Sequence, residues 1–498
     1  MSLSVAAVLR ELLRDCYTKK VFLLHLSARQ EMLLHLDAWS ENRQDYFPPE
    51  PEKYLDTSEM ENLINSESWI ADFYTEIGRF EQAKILYEKV LAYRVASHGP
   101  RKPFGLRTAT KLAFVLERLG QYKEAERMLQ QNMNIQEQIF GKDHPDTLET
   151  VLILSEVFFS QGRYVEAEMM LQKSLPAFVS TRGPEHRDTL YCRNNLALSL
   201  REQGRYSEAQ QIYLELYETS DRIVGSEHQT TIKYAHNLAI VHTDLGMFMW
   251  AEKGNRWVLD ARERILGKEH PETLVSCNNL GFVLFEIGHF REARELHERV
   301  LDAMEKLMGK DHPNTLHSDD NLANVLSVQG IVEKAEELSR RALVAREQIL
   351  GKEHPHTLRN VNYLAMILHA RAKHGEAEQM LRGVLETRQR LLGVESAASL
   401  STTSDLGVIL RDQGKYREGE DLLQRAVRGR ELVFGRDHPH TLISLFNLAT
   451  LLRMQYRLTE ARPLCERAYD GLRNILSTDH PVLKSLNELA HPGAQGKE

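Results

Sequence analysis

A period of 42 residues constrains this chain more than any other feature. Gly267-Lys-Glu-His-Pro-Glu-Thr-Leu274 returns as Gly309-Lys-Asp-His-Pro-Asn-Thr-Leu316, and the same phase holds over most of the sequence. Glycine stands at 99, 141, 183, 225, 267, 309, 351, 393 and 435 without a slip. A second glycine ladder occupies 78, 120, 162, 204, 246, 288, 330 and 414. Alanine fills 83, 125, 167, 209, 251, 293, 335, 377 and 461, with Gly419 in its one gap. Three ladders with one period predict a solenoid of stacked repeats, which grows by addition and needs no single central core.

Within one period, Leu274, Cys277, Leu280, Gly281 and Leu284 lie along one helical stripe. Gly288 is placed to stop that helix with a left-handed cap. Phe290, Ala293, Leu296, Val300, Leu301 and Met304 then form the inward stripe of a second helix, which Gly309 is expected to end in the same way. Small residues at 71, 113, 155, 197, 239, 281, 323, 365, 407 and 449 let the two helices approach closely, so each repeat is a helical hairpin. Ala372 and Tyr456 replace the turn glycine, and their turns are expected to be altered. Pro176 falls inside a second helix and predicts a kink or an early end there.

The small residue in the first helix, the alanine twelve positions later and the glycine turn between them resemble the tetratricopeptide repeat. The length of 42, the Asn-Asn-Leu-Ala/Gly of the first helix and the Leu-Gly-Lys-Asp/Glu-His-Pro junction look like its kinesin-light-chain subtype. The resemblance implies an all-α, right-handed α-solenoid of about ten hairpins. We expect an N-terminal helical cap and Pro-rich loop over 1–61, the array over 62–480, and a capping helix with a polar tail over 481–498. Amphipathic helices are predicted at 3–17 and 19–39 and a polar loop at 41–54; a separate docking element is the other reading of this segment.

Composition removes several function classes. A formal charge of −8 and a pI near 6.3 argue against a general nucleic-acid binder. No apolar run reaches membrane-span length, and Arg10 and Glu11 interrupt the N-terminus before a signal-type core forms. Cys16, Cys192, Cys277 and Cys465 lack Cys-x-x-Cys spacing and read as buried thiols, which fits a cytoplasmic location. His144, His186, His228, His270, His312, His354, His438 and His480 share one phase. Equivalent positions on stacked helices are about 8–10 Å apart, too far to converge on a metal. They are expected to bond within the cap before each first helix. No phosphate loop and no hydrolase or protease motif is present. We expect no catalysis, no cofactor and no metal.

The candidate site is a row of amides. Asn195, Asn237, Asn279, Asn321 and Asn447 share one first-helix phase, although Asn is a mediocre helix former. They are either struts between helices or donors and acceptors for an extended peptide. The resemblance implies the second, because in such repeats the first helix lines a concave groove and this position contacts bound peptides. Tyr363 and Asp405 interrupt the row. Lys233, Arg359 and Arg201, with Arg107, Lys111, Arg411 and Arg453, would favour an acidic peptide. Phe114, Leu198, Ile240 and Phe282 would supply apolar pockets. The expected function is a non-catalytic scaffold or adaptor for a partner protein or peptide. The alternative is a sensor arm acting on a separate NTPase or enzyme, and an accessory factor or enzyme for a small molecule is the least supported.

Overall fold

The computed structural model describes residues 57–490, and all regular structure among them is helical. The sequence expectations for 1–56, for Cys16 and for the tail after 490 lie outside the described residues. Thr57–Glu76 (α1) and Phe80–His98 (α2) form the first hairpin. Pro103–Arg118 (α3), Tyr122–Phe140 (α4), Pro145–Ser160 (α5), Tyr164–Arg182 (α6) and Arg187–Glu202 (α7) follow. These lie in an N-terminal unit, Met1–Gln203.

The C-terminal unit, Gly204–Glu498, begins with Tyr206–Val224 (α8). Its hairpins are Gln229–Asp244 (α9) with Phe248–Leu266 (α10), Pro271–Ile287 (α11) with Phe290–Met308 (α12), and Pro313–Val328 (α13) with Val332–Ile349 (α14). Pro355–Ala370 (α15) with His374–Leu392 (α16), Ala397–Asp412 (α17) with Tyr416–Phe434 (α18), and Pro439–Met454 (α19) with Leu458–Leu472 (α20) complete them. Pro481–Ala490 (α21) ends the described chain.

The ladders have distinct physical jobs. The alanine ladder is sealed: Ala83, Ala125, Ala167, Ala209, Ala251, Ala293, Ala335 and Ala377 are fully buried. Gly288 adopts the left-handed cap, φ 95° and ψ 14°, and its N–H bonds Leu284 O at 3.1 Å. Gly309 differs from that expectation. It has φ 85° and ψ 169°, a region essentially reserved for glycine, so the two ladders mark two kinds of turn. Ala372 and Tyr456 keep the turn geometry by entering the left-handed region at φ 58° and 61°, which corrects the expectation of altered turns. Each non-glycine residue there carries a cost of about 1–2 kcal/mol. Nor does Pro176 end its helix, since α6 runs on to Arg182; the proline and Gln172, whose carbonyl loses its partner, are both exposed to solvent.

At seven first-helix starts the histidine behaves as predicted. His144, His186, His228, His270, His312, His354 and His438 are N-caps whose Nδ1 accepts the backbone N–H two residues on, at 3.1–3.2 Å. His480 Nδ1 accepts from Val482 in the same way, and Ser396 substitutes a hydroxyl cap.

A further arginine ladder escaped the sequence reading. Arg94, Arg262, Arg388 and Arg430, on second helices, each donate to a carbonyl ten residues on and a hydroxyl fourteen residues on, in the next first helix. The hydroxyl contacts are Thr108 at 2.6 Å, Ser276 at 2.8 Å, Thr402 at 2.6 Å and Ser444 at 2.6 Å. Guanidinium groups, half-buried at Arg94 and buried at Arg262, Arg388 and Arg430, thus join successive repeats.

The C-terminal unit also touches itself at long range. Ser477 N–H donates to Ile287 O at 2.7 Å, and His438 Nε2 donates to Asp244 O at 3.2 Å across 194 residues. Ile475 packs on the core of α10–α12, and the Phe290 and His480 rings lie 5.8 Å apart.

Candidate inner-face binding site

First helices pack against their own second helix and also approach the first helix of the next repeat: α9 to α11, α11 to α13, α13 to α15, α15 to α17 and α17 to α19. They therefore form the closer row, and residues on their free face line the inside of the C-terminal unit. Asn237, Asn279, Asn321 and Asn447 are half-buried on α9, α11, α13 and α19. Lys233 is exposed one turn before Asn237, and Arg359 is half-buried on α15. Asn195 and Arg201 belong to α7 in the N-terminal unit, so the predicted set is divided between the two units.

The strut role falls mostly on the residue just before the asparagine. Asn278 is buried; its amide donates to Ser318 at 3.4 Å and its carbonyl faces His297 Nδ1 at 3.1 Å. Asn362 donates to Asp405 at 2.7 Å and accepts from Thr402 at 2.9 Å. Asp320, fully buried, is bound by Arg346 and by Asn360 at 2.5 Å. Asn321 makes only a long bond to Asn278, 3.5 Å, and among the described residues Asn279 and Asn447 make none through their side chains. Asn195 differs, being buried and accepting from Asn194 at 3.0 Å.

Several predicted cations are already engaged. Arg107 meets Asp146 at 2.8 Å, Lys111 meets Asp72 at 2.7 Å, Arg201 meets Glu202 at 3.0 Å and Arg411 meets Asp412 at 2.6 Å. Phe282 is exposed, whereas Phe114, Leu198 and Ile240 are half-buried.

Acidic groups face the interior as well. Burial pushes the Glu286 carboxyl up to about 7 against the pull of Arg430, and it raises Asp405 despite the bond from Asn362. Histidines move the other way. Burial, reinforced by Arg359, takes His317 down to about 3 and His356 to about 4. The Cys192 and Cys277 thiols are buried and pushed up to about 12 and about 11 by desolvation.

The long-range contact gives a pH prediction. His438 and His480 use Nδ1 as an acceptor, so the proton sits on Nε2 and the rings must stay neutral. Burial lowers both to about 4, from 6.5. The unfolded chain therefore binds more protons between those values. The associated stability is full above pH 6.5 and is lost as pH falls toward 4. Glu286 works in the opposite direction between 4.5 and 7, but buried His297, lowered to about 4, adds to the histidine side. Melting temperature should fall from pH 7 to pH 5, with hydrogen exchange rising first at 475–486. A flat or rising melting temperature would contradict this.

Residues 62–131, 106–178, 150–222, 189–253, 311–390 and 395–474 match a tetratricopeptide repeat family profile, and 273–314 match a second. These spans take in most of the chain, which therefore belongs to the tetratricopeptide repeat family. Its 42-residue period and Leu-Gly-Lys-Asp/Glu-His-Pro junctions resemble kinesin-light-chain-type repeats. No curated protein matches it. Among solved structures it is similar to a Podosopora anserina putative kinesin light chain with nearly identical TPR-like repeats. That match has 26% identity over 40% of this chain and 95% of the other, with a TM-score of 0.35. The apo quorum sensor NprR from B. thuringiensis is 14% identical over 74% of this chain and 97% of its own, with a TM-score of 0.50. Apo RapI is 10% identical over 74% and 98%, with a TM-score of 0.53. The last two likenesses concern the fold. Among the described residues, no helix is long and apolar enough to cross a membrane.

Proposed function

We propose that the protein is a non-catalytic interaction scaffold whose inner face in the C-terminal unit binds an extended segment of a partner protein. The observation that carries this reading is the division of labour on the first helices. Asn278 and Asp320 take up inter-helix hydrogen bonds, as Asn362 does on α15, while the amides of Asn279 and Asn321 stand half-exposed one position further on and that of Asn447 is half-exposed in the same phase. A half-exposed amide offers a donor and an acceptor, the complement of a peptide unit. The paired cations and the inward Glu286 and Asp405 narrow the expected preference for an acidic partner to local charge matching.

The test uses peptides selected from a random library against the wild-type chain. Asn237→Ala, Asn279→Ala and Asn321→Ala combined should leave helical content and melting nearly unchanged, because Ala is the better helix former. Each lost bond contributes about 0.5–1.5 kcal/mol, so binding should weaken at least roughly tenfold. A destabilised protein with unchanged affinity would make these asparagines struts and refute the groove.

A further inference from the structure

Two first helices of the C-terminal unit end on groups that come from far along the chain. Asp244 and Ile287 are the last residues of α9 and α11, so their carbonyls are among those a helix leaves without an internal partner. His438 Nε2–H, just before α19, donates to the first at 3.2 Å, and Ser477 N–H, between α20 and α21, donates to the second at 2.7 Å. Of the glycines at positive φ, Gly246 and Gly288 are the two whose missing Cβ is already replaced by other atoms. Pro439 and His438 fill the space at Gly246, and Ser477 and His480 fill it at Gly288. The docking is in register with the repeat, since 42 residues separate the two turns and 42 separate the two histidines.

The contact is thin all the same. No helix of α9–α12 packs along one of α19–α21. Among the described residues the two sides meet at turns and caps, with Ile475 and the Phe290–His480 ring pair beside them. Ser477 Oγ is buried there and meets no partner among the described residues. Parting the two sides returns that hydroxyl and both carbonyls to water, which replaces the hydrogen bonds lost. Parting two successive repeats instead exposes a sealed apolar cluster, such as the one around Leu445, Leu452 and Leu472. The long-range contact is therefore the one that opens first.

Its position decides what opening does. The contact joins α9–α12 to α19–α21 across the intervening α13–α18, so the C-terminal unit closes into a ring around its inner face. Glu286 of α11 acts on Arg430 of α18 and on Tyr363 of α15, which puts opposite walls within reach of each other's charge. We propose that this contact is a latch. Closed, it shuts the inner face to bulky groups and to internal segments of a folded partner; parted, it admits them. The latch concerns access alone and goes beyond the scaffold reading, whatever the inner face binds.

The test needs no partner. Phe282, on the inner face of α11, is replaced by Cys in a Cys16→Ser chain, whose other cysteines, Cys192, Cys277 and Cys465, are buried. Labelling rates are compared for a small maleimide and for one carried on a bulky polymer. The polymer reagent should lag in the otherwise wild-type chain. We expect it to gain about tenfold when Gly246→Ala or Ser477→Pro parts the contact, because access scales with the open fraction, while the small reagent keeps its rate. Gly330→Ala is the matched control, since its Cβ has open space, and it should leave both rates alone. In the same Cys16→Ser chain with Phe282 kept, Gly288→Cys with Ser477→Cys should form a disulfide under mild oxidation, because a Cβ at 288 stands 2.8 Å from Ser477 Oγ. Gly330→Cys with Ser477→Cys should not. Circular dichroism melts confirm that each variant is folded. Polymer labelling as fast as small-reagent labelling without the parting substitutions, no gain in either parted variant, or no disulfide would overturn the latch.

Discussion

Asp320→Ala is expected to destabilise the C-terminal unit by about 3–5 kcal/mol, far more than an ordinary helix substitution. Asp320 on α13 is fully buried, and Arg346 on α14, its ion-pair partner, is 2% exposed. Asn360 on α15 donates to the other carboxylate oxygen at 2.5 Å and to Ser339 on α14 at 3.1 Å, so one carboxylate ties three helices together. Removing it leaves the Arg346 guanidinium buried without its counter-charge, and that orphaned charge dominates the loss. Arg346→Met alone should be comparably harmful because it strands Asp320. The double variant Asp320→Leu with Arg346→Met should recover much of the difference, since neither charge then remains to be desolvated. Denaturant melts of the four proteins decide it. An Asp320→Ala protein that melts with the wild type would show that the pair contributes nothing to stability.

This network also marks where the sequence stopped being legible. Period, hairpins, the left-handed Gly288 turn and the histidine caps were readable because each rests on local chemistry: a positive φ, an N-cap acceptor, or an apolar stripe at helical spacing; the different turn at Gly309 and the left-handed Ala372 and Tyr456 were not. The Asp319-Asp320 pair went unremarked, although its phase faces the neighbouring repeats at Asn278 and Asn362. Arg94, Arg262, Arg346, Arg388 and Arg430 also share the 42-residue phase on the second helix. Five arginines in one register, each fourteen residues before a hydroxyl or amide residue, were a signal that counting could have found. The contact between α9–α12 and α19–α21 had no such signal. It depends on how curvature accumulates over many repeats, which no local pattern encodes. Likewise, the cations proposed as groove residues were visible as residues, but their partners Asp72, Asp146, Glu202 and Asp412 lie on the same or adjacent helices, where only side-chain geometry decides the pairing.

Gly288→Val should cost about 2–4 kcal/mol, combining a β-branched residue at positive φ with overpacking. The turn alone would make this a local injury: a strained C-cap on α11, felt by the hairpins on either side. The long-range contact makes it more. A Cβ built at Gly288 comes within 2.8 Å of both Ser477 Oγ and His480 Cδ2, whereas nothing lies within 4 Å of one at Gly267 or Gly309. Hydrogen exchange should therefore rise in two separate segments, around α11–α12 and around 475–486. Gly330→Val provides the control, since Gly330 has φ 79° and open space where its Cβ would stand. It should loosen α13–α14 while leaving 475–486 protected. Gly246→Ala tests the other side of the contact, because its Cβ would meet Pro439 Cδ at 2.3 Å. Exchange there should rise at 438–442 ahead of 475–486. If Gly288→Val and Gly330→Val both disturb only their own hairpins, the C-terminal repeats do not rest on α9–α12 in solution, and the inner face is open along that edge.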